Sequence, residues 1–432
     1  MGARQTALHV LMACRQEGAW SNGILKEYIQ RDGLDRREAA LATRLSYGVL
    51  QNRLLLDFYL KQLLTGKLKS LHPVVRDILH LGLYQLYLMD KIPESAAVNE
   101  AVELCKKHNR NAASLVNGVL RNAIRSKDTL QQPRSYQEIY SHPQKLIDLL
   151  CEDVGKSRLA PMLKANNDIP PTVIQVNTLV CDSETLKARL EQEDVAVTAH
   201  PWLTDCFILS GTGSVDRLES FRQGLFYVQD AAAKLSVLCA QISTGAKVLD
   251  CCAAPGGKSF AAAMAGAGEI TSCDVHPHKI PLIEKGAQRL GITHLQAVCQ
   301  DASVNVAKWQ NAMDVVIADV PCSGYGIIRK KPDIRYKDPD TMLDLPALQR
   351  AILDNQATYV KPGGTLLYST CTLLHRENED IVNAFLADHP DFTLEPLPLP
   401  AAFPKNESGM LTLVPGEYDT DGFFIARLRR KL

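Results

Sequence analysis

The stretch from Ala246 to Phe260, AKVLDCCAAPGGKSF, constrains this chain more than any other. Lys247, Val248 and Leu249 open a short extended run that ends at Asp250. Pro255, Gly256 and Gly257 break it, and an alanine-rich segment of helical character follows from Ser259. A strand, a glycine turn and a helix in that order turn backbone N–H groups toward a ligand. The turn is neither the dinucleotide pattern G-x-G-x-x-G nor the P-loop, although Lys258–Ser259 superficially matches the end of the latter. The place of the first P-loop glycine falls at Cys251–Cys252, which disfavours a nucleoside triphosphate.

With 432 residues the chain is long enough for two or three domains. The first residues, MGARQTALHV, carry no secretory signal pattern, and no apolar run approaches the ~20 residues of a membrane span. Twelve cysteines are scattered without a C-x-x-C pair, and adjacent Cys251 and Cys252 cannot form an unstrained disulfide. Free thiols in a reducing cytosol are therefore expected, and no metal site. The formal net charge of zero is uneven: residues 1–150 carry 21 Lys/Arg against 14 Asp/Glu, and residues 151–432 carry 27 against 34. A basic N-terminal part fits a bound polyanion, while ordinary variation of the surface explains the same surplus.

Apolar residues recur at helical spacing through Ala7–Cys14, Leu41–Val49, Asp57–Leu64, Val74–Leu88, Val98–Cys105 and Leu115–Leu120. Residues 1–125 thus read as a helical bundle, with Pro73 and Pro93 near helix starts. Lys106, Lys107, Arg110, Arg121, Arg125 and Lys127 are either a nucleic-acid surface or the solvated face of two helices. Residues 126–150 read as a linker with a short helix, and residues 151–230 as a small α+β unit. Strands are expected there at Pro170–Asn177, Val195–Thr198 and Phe207–Leu209, and a helix over Ser183–Glu193. Gly224–Leu235 is expected to lead into the first helix packed on a main sheet.

Beyond residue 246, strand and helix alternate. Strands are expected at Lys247–Asp250, Glu269–Asp274, Leu295–Cys299, Asp314–Asp319 and Thr365–Ser369, with helices between them such as Lys279–Leu290 and Leu345–Val360. That alternation predicts an α/β domain with a mostly parallel sheet covered on both faces. Leu411–Val414 and Phe423–Leu428 lie too close in sequence for a crossover, so they must pair antiparallel. A Rossmann-like sheet ending in an antiparallel hairpin is the architecture common to methyltransferases that use S-adenosylmethionine, an analogy of fold alone.

Ligands of such sheets bind beyond the carboxyl ends of the strands. Asp250, Asp274, Asp301 and Asp319 all fall there, and Asp274 lies 24 residues past Asp250, a place for a carboxylate that accepts from an adenosine ribose. The set favours a nucleoside-containing cofactor, and the lack of a phosphate-type loop favours S-adenosyl-L-methionine over NAD. Lys258 is expected to neutralise a carboxylate, either the cofactor's methionyl group or a neighbouring Asp, or else merely to cap surface charge. A free cysteine is usually a small buried hydrophobe, which is the expectation for Cys14, Cys105, Cys239, Cys273 and Cys299. It fails for Cys322, in the polar turn ADVPCSGYG after the fourth strand, and for Cys371, in YSTCT after the fifth. If the sheet order is 3-2-1-4-5, both thiols face one pocket.

Two thiols, a carboxylate and a sulfonium cofactor point to one reaction. Carbon 5 of cytosine is a poor nucleophile until a thiolate adds at carbon 6. Asp319 would then serve as acid or hydrogen-bond partner at ring N3, and the base would have to be unpaired or flipped. Spacing alone leaves open which thiol attacks.

These motifs resemble those of the RNA cytosine-5 methyltransferases of the Sun/RsmB family. The family's DxCAAPGGK is matched by Asp250, Cys252, Ala253, Ala254, Pro255, Gly256, Gly257 and Lys258, and its DAPCSGxG by Asp319–Gly326 with Val320 in place of alanine. Its STC motif is matched by Ser369, Thr370 and Cys371. The resemblance spans almost the whole chain, including NEAVELCKKH, SLVNGVLRN, HPW at His200–Trp202, GLFYVQD at Gly224–Asp230 and DGFFIARL at Asp421–Leu428. It implies a NusB-like RNA-binding domain over 1–140, a small α+β linking subdomain over 141–232 and a catalytic domain over 233–432. It further implies that Cys371 attacks, that Cys322 assists release, and that Asp319 shares the site. S-adenosyl-L-methionine would be held by Cys252, Ala253, Ala254, Pro255, Gly256, Gly257, Lys258, Asp274, Asp301 and Asp319.

The implied substrate is one cytosine of 16S rRNA, naked or in a partly assembled small subunit. The implied enzyme is cytoplasmic and has no membrane partner. A monomer is expected, since nothing requires a partner chain. Two competing readings are a tRNA cytosine-5 methyltransferase and a catalytically dead assembly factor. Retention of both thiols and all four strand-end carboxylates weighs against the second.

Overall fold

The computed structural model describes residues 2–16 and 21–432, which form two compact units. The first comprises residues up to Asp168 together with Ile328–Lys337. Its helices are α1 (Ala3–Gln16), α2 (Ser21–Arg31), α3 (Arg36–Gln51), α4 (Arg53–Leu63), α5 (Pro73–Leu88), α6 (Glu94–His108), α7 (Ala113–Ser126), α8 (Tyr136–Tyr140), α9 (Gln144–Val154) and α10 (Lys156–Ala165). Asp35 caps α3 by accepting from the amides of Arg37 and Glu38, and Ser135 and Glu138 form a reciprocal cap on α8. Helix α5 is buried on nearly every face, from Val74 to Leu86, because it is the axis around which α1, α3, α6 and α7 pack. No helix among the described residues is long and apolar enough to cross a membrane.

A segment that sequence patterning left unassigned completes this unit. Arg335 is fully buried, donating from Nη1 to the Gln51 carbonyl (3.0 Å) and Asn167 Oδ1 (2.7 Å), and from Nη2 to the Asn166 carbonyl (3.1 Å). Burial lowers its pKa to about 10, so it remains a cation held by neutral oxygens. Tyr336 Oη donates to the Leu50 carbonyl at 2.7 Å.

The second unit, Ile169–Ile327 with Asp338–Leu432, holds two sheets. The smaller is antiparallel, built from β1 (Thr172–Val176), β2 (Ala196–Ala199), β3 (Cys206–Ser210) and β4 (Phe226–Val228) in the order β2-β3-β1-β4. Helix α11 (Ser183–Gln192) covers it, and α12 (Glu219–Arg222) precedes β4. The Gly224–Leu235 segment therefore divides: its first part pairs with β1 as an edge strand, and only Ala231–Cys239 (α13) is helical.

The larger sheet contains β5 (Lys247–Asp250), β6 (Glu269–Asp274), β7 (Leu295–Cys299), β8 (Met313–Asp319), β9 (Val360–Thr370), β10 (Phe392–Leu394), β11 (Met410–Leu413) and β12 (Phe423–Arg430). Helices α14 (Gly257–Met264), α15 (Ile280–Arg289), α16 (Leu345–Ala357) and α17 (Glu379–Asp388) make the connections. The order β7-β6-β5-β8-β9-β12-β10 contains the expected 3-2-1-4-5 run of parallel strands, and β11 pairs antiparallel with β12. Strand β10 is the addition, since three residues give no alternation to read. Apolar residues pack both faces, with Val248, Ile270 and Ile317 in one layer and Leu249, Val316 and Leu366 in the other.

Two cysteine expectations fail. Cys299 is exposed and Cys14 half-buried, whereas Cys105, Cys239 and Cys273 are buried as expected. Cys299 is the last residue of β7, an edge strand, and lies at its open end, while Leu295 and Val298 of the same run pack against the core.

Candidate active site

The parallel register brings the expected carboxylates to one edge. Asp250 pairs with Ser272 of β6 and Ile317 of β8, so Asp274 and Asp319 each extend two residues beyond it. Asp250 itself is fully buried, accepting from Ser259 Oγ at 2.7 Å, while Ser259 accepts from Ser272 Oγ at 2.7 Å. Its other oxygen has no hydrogen-bond partner among the described residues. Burial raises its pKa to about 7, although the Ser259 hydroxyl and Lys258 pull the other way. Asp250 thus ties the turn to the first turn of α14.

The turn that follows is held by backbone bonds: Cys251 N–H to the Ile317 carbonyl (3.0 Å), Ala253 N–H to that of Cys273 (2.7 Å), and Gly256 N–H to that of Ala253 (2.6 Å). Gly256 has φ of +111°, and a Cβ there would lie 2.4 Å from the Phe260 ring, so only glycine fits. Ala254 and Cys252 are half-buried and Pro255 is exposed, leaving the outer side of the turn open. At the next strand end, Asp274 Oδ1 accepts from His276 N–H at 2.9 Å and lies 3.6 Å from Lys279 Nζ. Asp301 is exposed and accepts from the amide (2.8 Å) and hydroxyl (2.7 Å) of Ser303.

Of the partners expected for Lys258, a neighbouring aspartate is in place. Lys258 Nζ lies 2.6 Å from Asp319 Oδ2, and Ser369 Oγ donates to Asp319 Oδ1 at 2.7 Å. Asp319 is opposite Ser369 in the β8–β9 ladder, which is why the STC motif and the proline–cysteine turn leave the sheet together.

Three residues past Asp319 and two past Ser369, the sulfurs of Cys322 and Cys371 come within 3.2 Å, both half-buried. The Cys371 amide donates to Cys322 Sγ at 3.3 Å. Gly326 N–H donates to the Cys371 carbonyl at 2.9 Å, and its carbonyl accepts from Gly422 N–H at 2.8 Å. A Cβ on Gly326 would fall 2.2 Å from the Gly422 carbonyl oxygen, so that glycine lets the two chains close on the thiols. The Cys322 thiol is pushed well up, first by its hydrogen bond to Cys371, then by burial and by nearby negative charge including Glu377. Cys322 is thereby held as a thiol, the form that can share a proton in the contact with Cys371.

Sequence reasoning missed the buried supports of the strand-end motifs. Glu377, Gln349 and Ser259 are buried, and all three hydrogen-bond to motif residues. Ser259 had a legible signal, being the residue that follows the glycine turn. Glu377 sits in HREN, a charged run that reads as an exposed turn. In the first unit, Lys106, Lys107, Arg110, Arg121, Arg125 and Lys127 are all exposed, and Lys106 pairs with Glu103 at 2.7 Å. A depression of about 380 Å³ lined by Thr244, Asp314 and Lys361 lies at the amino ends of β5 and β8, away from these motifs.

Comparison with known proteins bears on the whole chain. A family described as 16S rRNA methyltransferase RsmB/F matches residues 237–429, the NusB family matches residues 1–125, and an RsmF/B-like ferredoxin-like domain matches residues 142–216. A Bacillus subtilis (strain 168) protein named probable ribosomal RNA small subunit methyltransferase B is 36% identical over 443 residues, covering 99% of this chain and 98% of its own. A Synechocystis protein of the same name is 33% identical over 444 residues and 100% of both chains. The solved structure of PH0851 superimposes with a TM-score of 0.81 over 99% of each chain at 24% identity, a likeness of fold.

Proposed function

The chain belongs to the RsmB/F family of 16S rRNA methyltransferases, and from that premise we propose that it methylates carbon 5 of one cytosine in small-subunit rRNA through a covalent Cys371 adduct. The observation that carries this reading is the 3.2 Å approach of Cys371 to Cys322, beside the Asp319–Lys258 pair.

The residues at the strand ends fit S-adenosyl-L-methionine. The outer side of the turn at Cys252, Ala254 and Pro255 is open to a ligand, and the carboxylates of Asp274 and Asp301 suit hydroxyl and amine donors. Residues Cys252–Lys258, Asp274, Asp301 and Asp319 would hold it. When bound, it supplies an electrophilic methyl group.

The chain's own part is to make carbon 5 nucleophilic. The Cys371 thiolate adds its electron pair to carbon 6, giving carbon 5 enamine character. Asp319, between Lys258 and Ser369, acts as the acid at ring N3: it gives N3 a proton as the addition builds charge there and takes it back when carbon 5 attacks the methyl group. After carbon 5 is methylated, its proton leaves to a base, the C5–C6 double bond reforms, and the C6–S bond breaks to return Cys371 as thiolate. Cys322, as a thiol 3.2 Å away, hydrogen-bonds to the departing sulfur. The exposed basic residues of α6 and α7 offer phosphate contacts that position the RNA.

The test is to label small-subunit rRNA and tRNA transcripts with methyl-labelled cofactor and map the product. The reading expects a single 5-methylcytidine in the rRNA. Label on tRNA, or on another atom of the base, would contradict it.

A further inference from the structure

Cys322 is gripped from both sides by one buried pair. Gln349 Nε2, on α16, donates to the carbonyl of Pro321 at 2.9 Å and to Glu377 Oε2 at 2.9 Å. The same Glu377 oxygen accepts from the amide of Ser323 at 2.9 Å. The peptide groups immediately before and after Cys322 are thus fixed by a single side-chain couple. Both side chains are fully buried, and Glu377 Oε1 and Gln349 Oε1 have no hydrogen-bond partner among the described residues. Glu377 is itself anchored, because Tyr368 Oη donates to its carbonyl at 2.6 Å.

A carboxylate buried with an idle oxygen costs stability that an apolar residue would not. Packing alone gives no reason for a glutamate at this position, whereas its bond to the Ser323 amide does. We propose that Glu377, acting with Gln349, is a positioning residue that holds Cys322 against the sulfur of Cys371 for the release step. The inference rests on the reading that Cys371 forms the adduct and Cys322 assists its breakdown. In that step the carbon 5 proton passes to water, its electron pair forms the C5–C6 double bond, and the C6–S pair returns to Cys371. Cys322 transfers no proton; its S–H bond points at the sulfur on which charge accumulates. The ionisable groups around Cys322 are Cys371, just past β9, Tyr368 of β9 and Glu377, while α16 contributes the neutral Gln349. Of these, Glu377 adds negative charge and a backbone bond together.

The test compares Glu377→Gln, which keeps an acceptor and removes the charge, with Gln349→Leu, which frees the Pro321 carbonyl and keeps the charge. Cys322→Ala runs beside them in the full-length protein with the substrate RNA. Both variants should slow product release by roughly tenfold and accumulate RNA–protein adduct on denaturing gels, with single-turnover methyl transfer within about threefold of the parent. A merely structural defect would instead lower methyl transfer, release and cofactor affinity together, and that result overturns the proposal. Alkylation of Cys322, followed by peptide mass spectrometry, should quicken several-fold in Glu377→Gln, since removing a neighbouring negative charge favours the thiolate. Adduct in Cys322→Ala but in neither other variant, with unchanged alkylation, refutes the role of Glu377 alone. No adduct in Cys322→Ala refutes the release role of Cys322 and with it this inference. Should Glu377→Gln fail to fold, the release rate of Gln349→Leu decides the matter.

Discussion

The sulfur of Cys322 lies 3.2 Å from that of Cys371, although 49 residues separate them in the chain. Parallel pairing of β8 with β9, in which Asp319 faces Ser369, produces that approach. The sheet thereby delivers two thiols and a carboxylate to one point, and the assignment of their roles leads to distinct outcomes on mutation.

Replacing Cys371 by alanine removes the group that activates carbon 5. Methyl transfer should fall by about a thousandfold or more, while cofactor affinity stays near that of the parent, because the thiol acts on the transition state rather than on ground-state binding. Single-turnover labelling together with calorimetric titration of the cofactor measures both.

Cys322→Ala should behave differently. With no S–H beside the departing sulfur, methylated RNA remains attached, and a slower band that nuclease removes should appear on a denaturing gel. Normal turnover without such a band would take Cys322 out of the mechanism.

The raised pKa of Asp250 carries a stability consequence. A carboxyl that is fully buried and titrates near 7 rather than 3.8 binds its proton more tightly in the folded chain. Its contribution is complete below the unfolded pKa and is lost as pH rises toward about 7. Three pH units correspond to on the order of 4 kcal/mol. Melting curves from pH 4 to pH 8 should show this loss in the parent, and Asp250→Asn should flatten that part of the profile.

Arg335 supports the helical unit through neutral acceptors. Arg335→Met strands the buried carbonyls of Gln51 and Asn166, and should destabilise the fold by ~3 kcal/mol. Arg335→Lys should recover little, because one ammonium cannot reproduce the guanidinium fork. Denaturant unfolding of the three proteins gives the comparison.

Much of the catalytic sheet was legible beforehand, and for physical reasons. Lys247–Asp250, Glu269–Asp274 and Leu295–Cys299 match the observed strands residue for residue, since buried parallel strands are short apolar runs that stop at polar residues. The glycine turn could be placed because Gly256 needs a positive φ that few residues tolerate. The proximity of the thiols was legible only conditionally, through the sheet order. What lay hidden were residues whose partners are remote in sequence. Nothing in IRKKPDIRY shows that Arg335 binds carbonyls near residues 51 and 166, and nothing in HREN shows that Glu377 is buried. Polar residues in aperiodic segments look solvated until tertiary structure encloses them. Cys299 is the converse case, the last residue of an apolar run left exposed at the end of an edge strand.

The central claim, a bond between Cys371 and carbon 6 of cytosine, is tested most directly by trapping it. A substrate RNA carrying 5-fluorocytidine blocks the final elimination, because fluorine cannot leave as the proton does. Incubation with S-adenosyl-L-methionine, proteolysis and mass spectrometry then locate the modified residue. The account predicts a methylated fluoropyrimidine attached to Cys371. Attachment at Cys322, or no covalent complex at all from active enzyme, would contradict it.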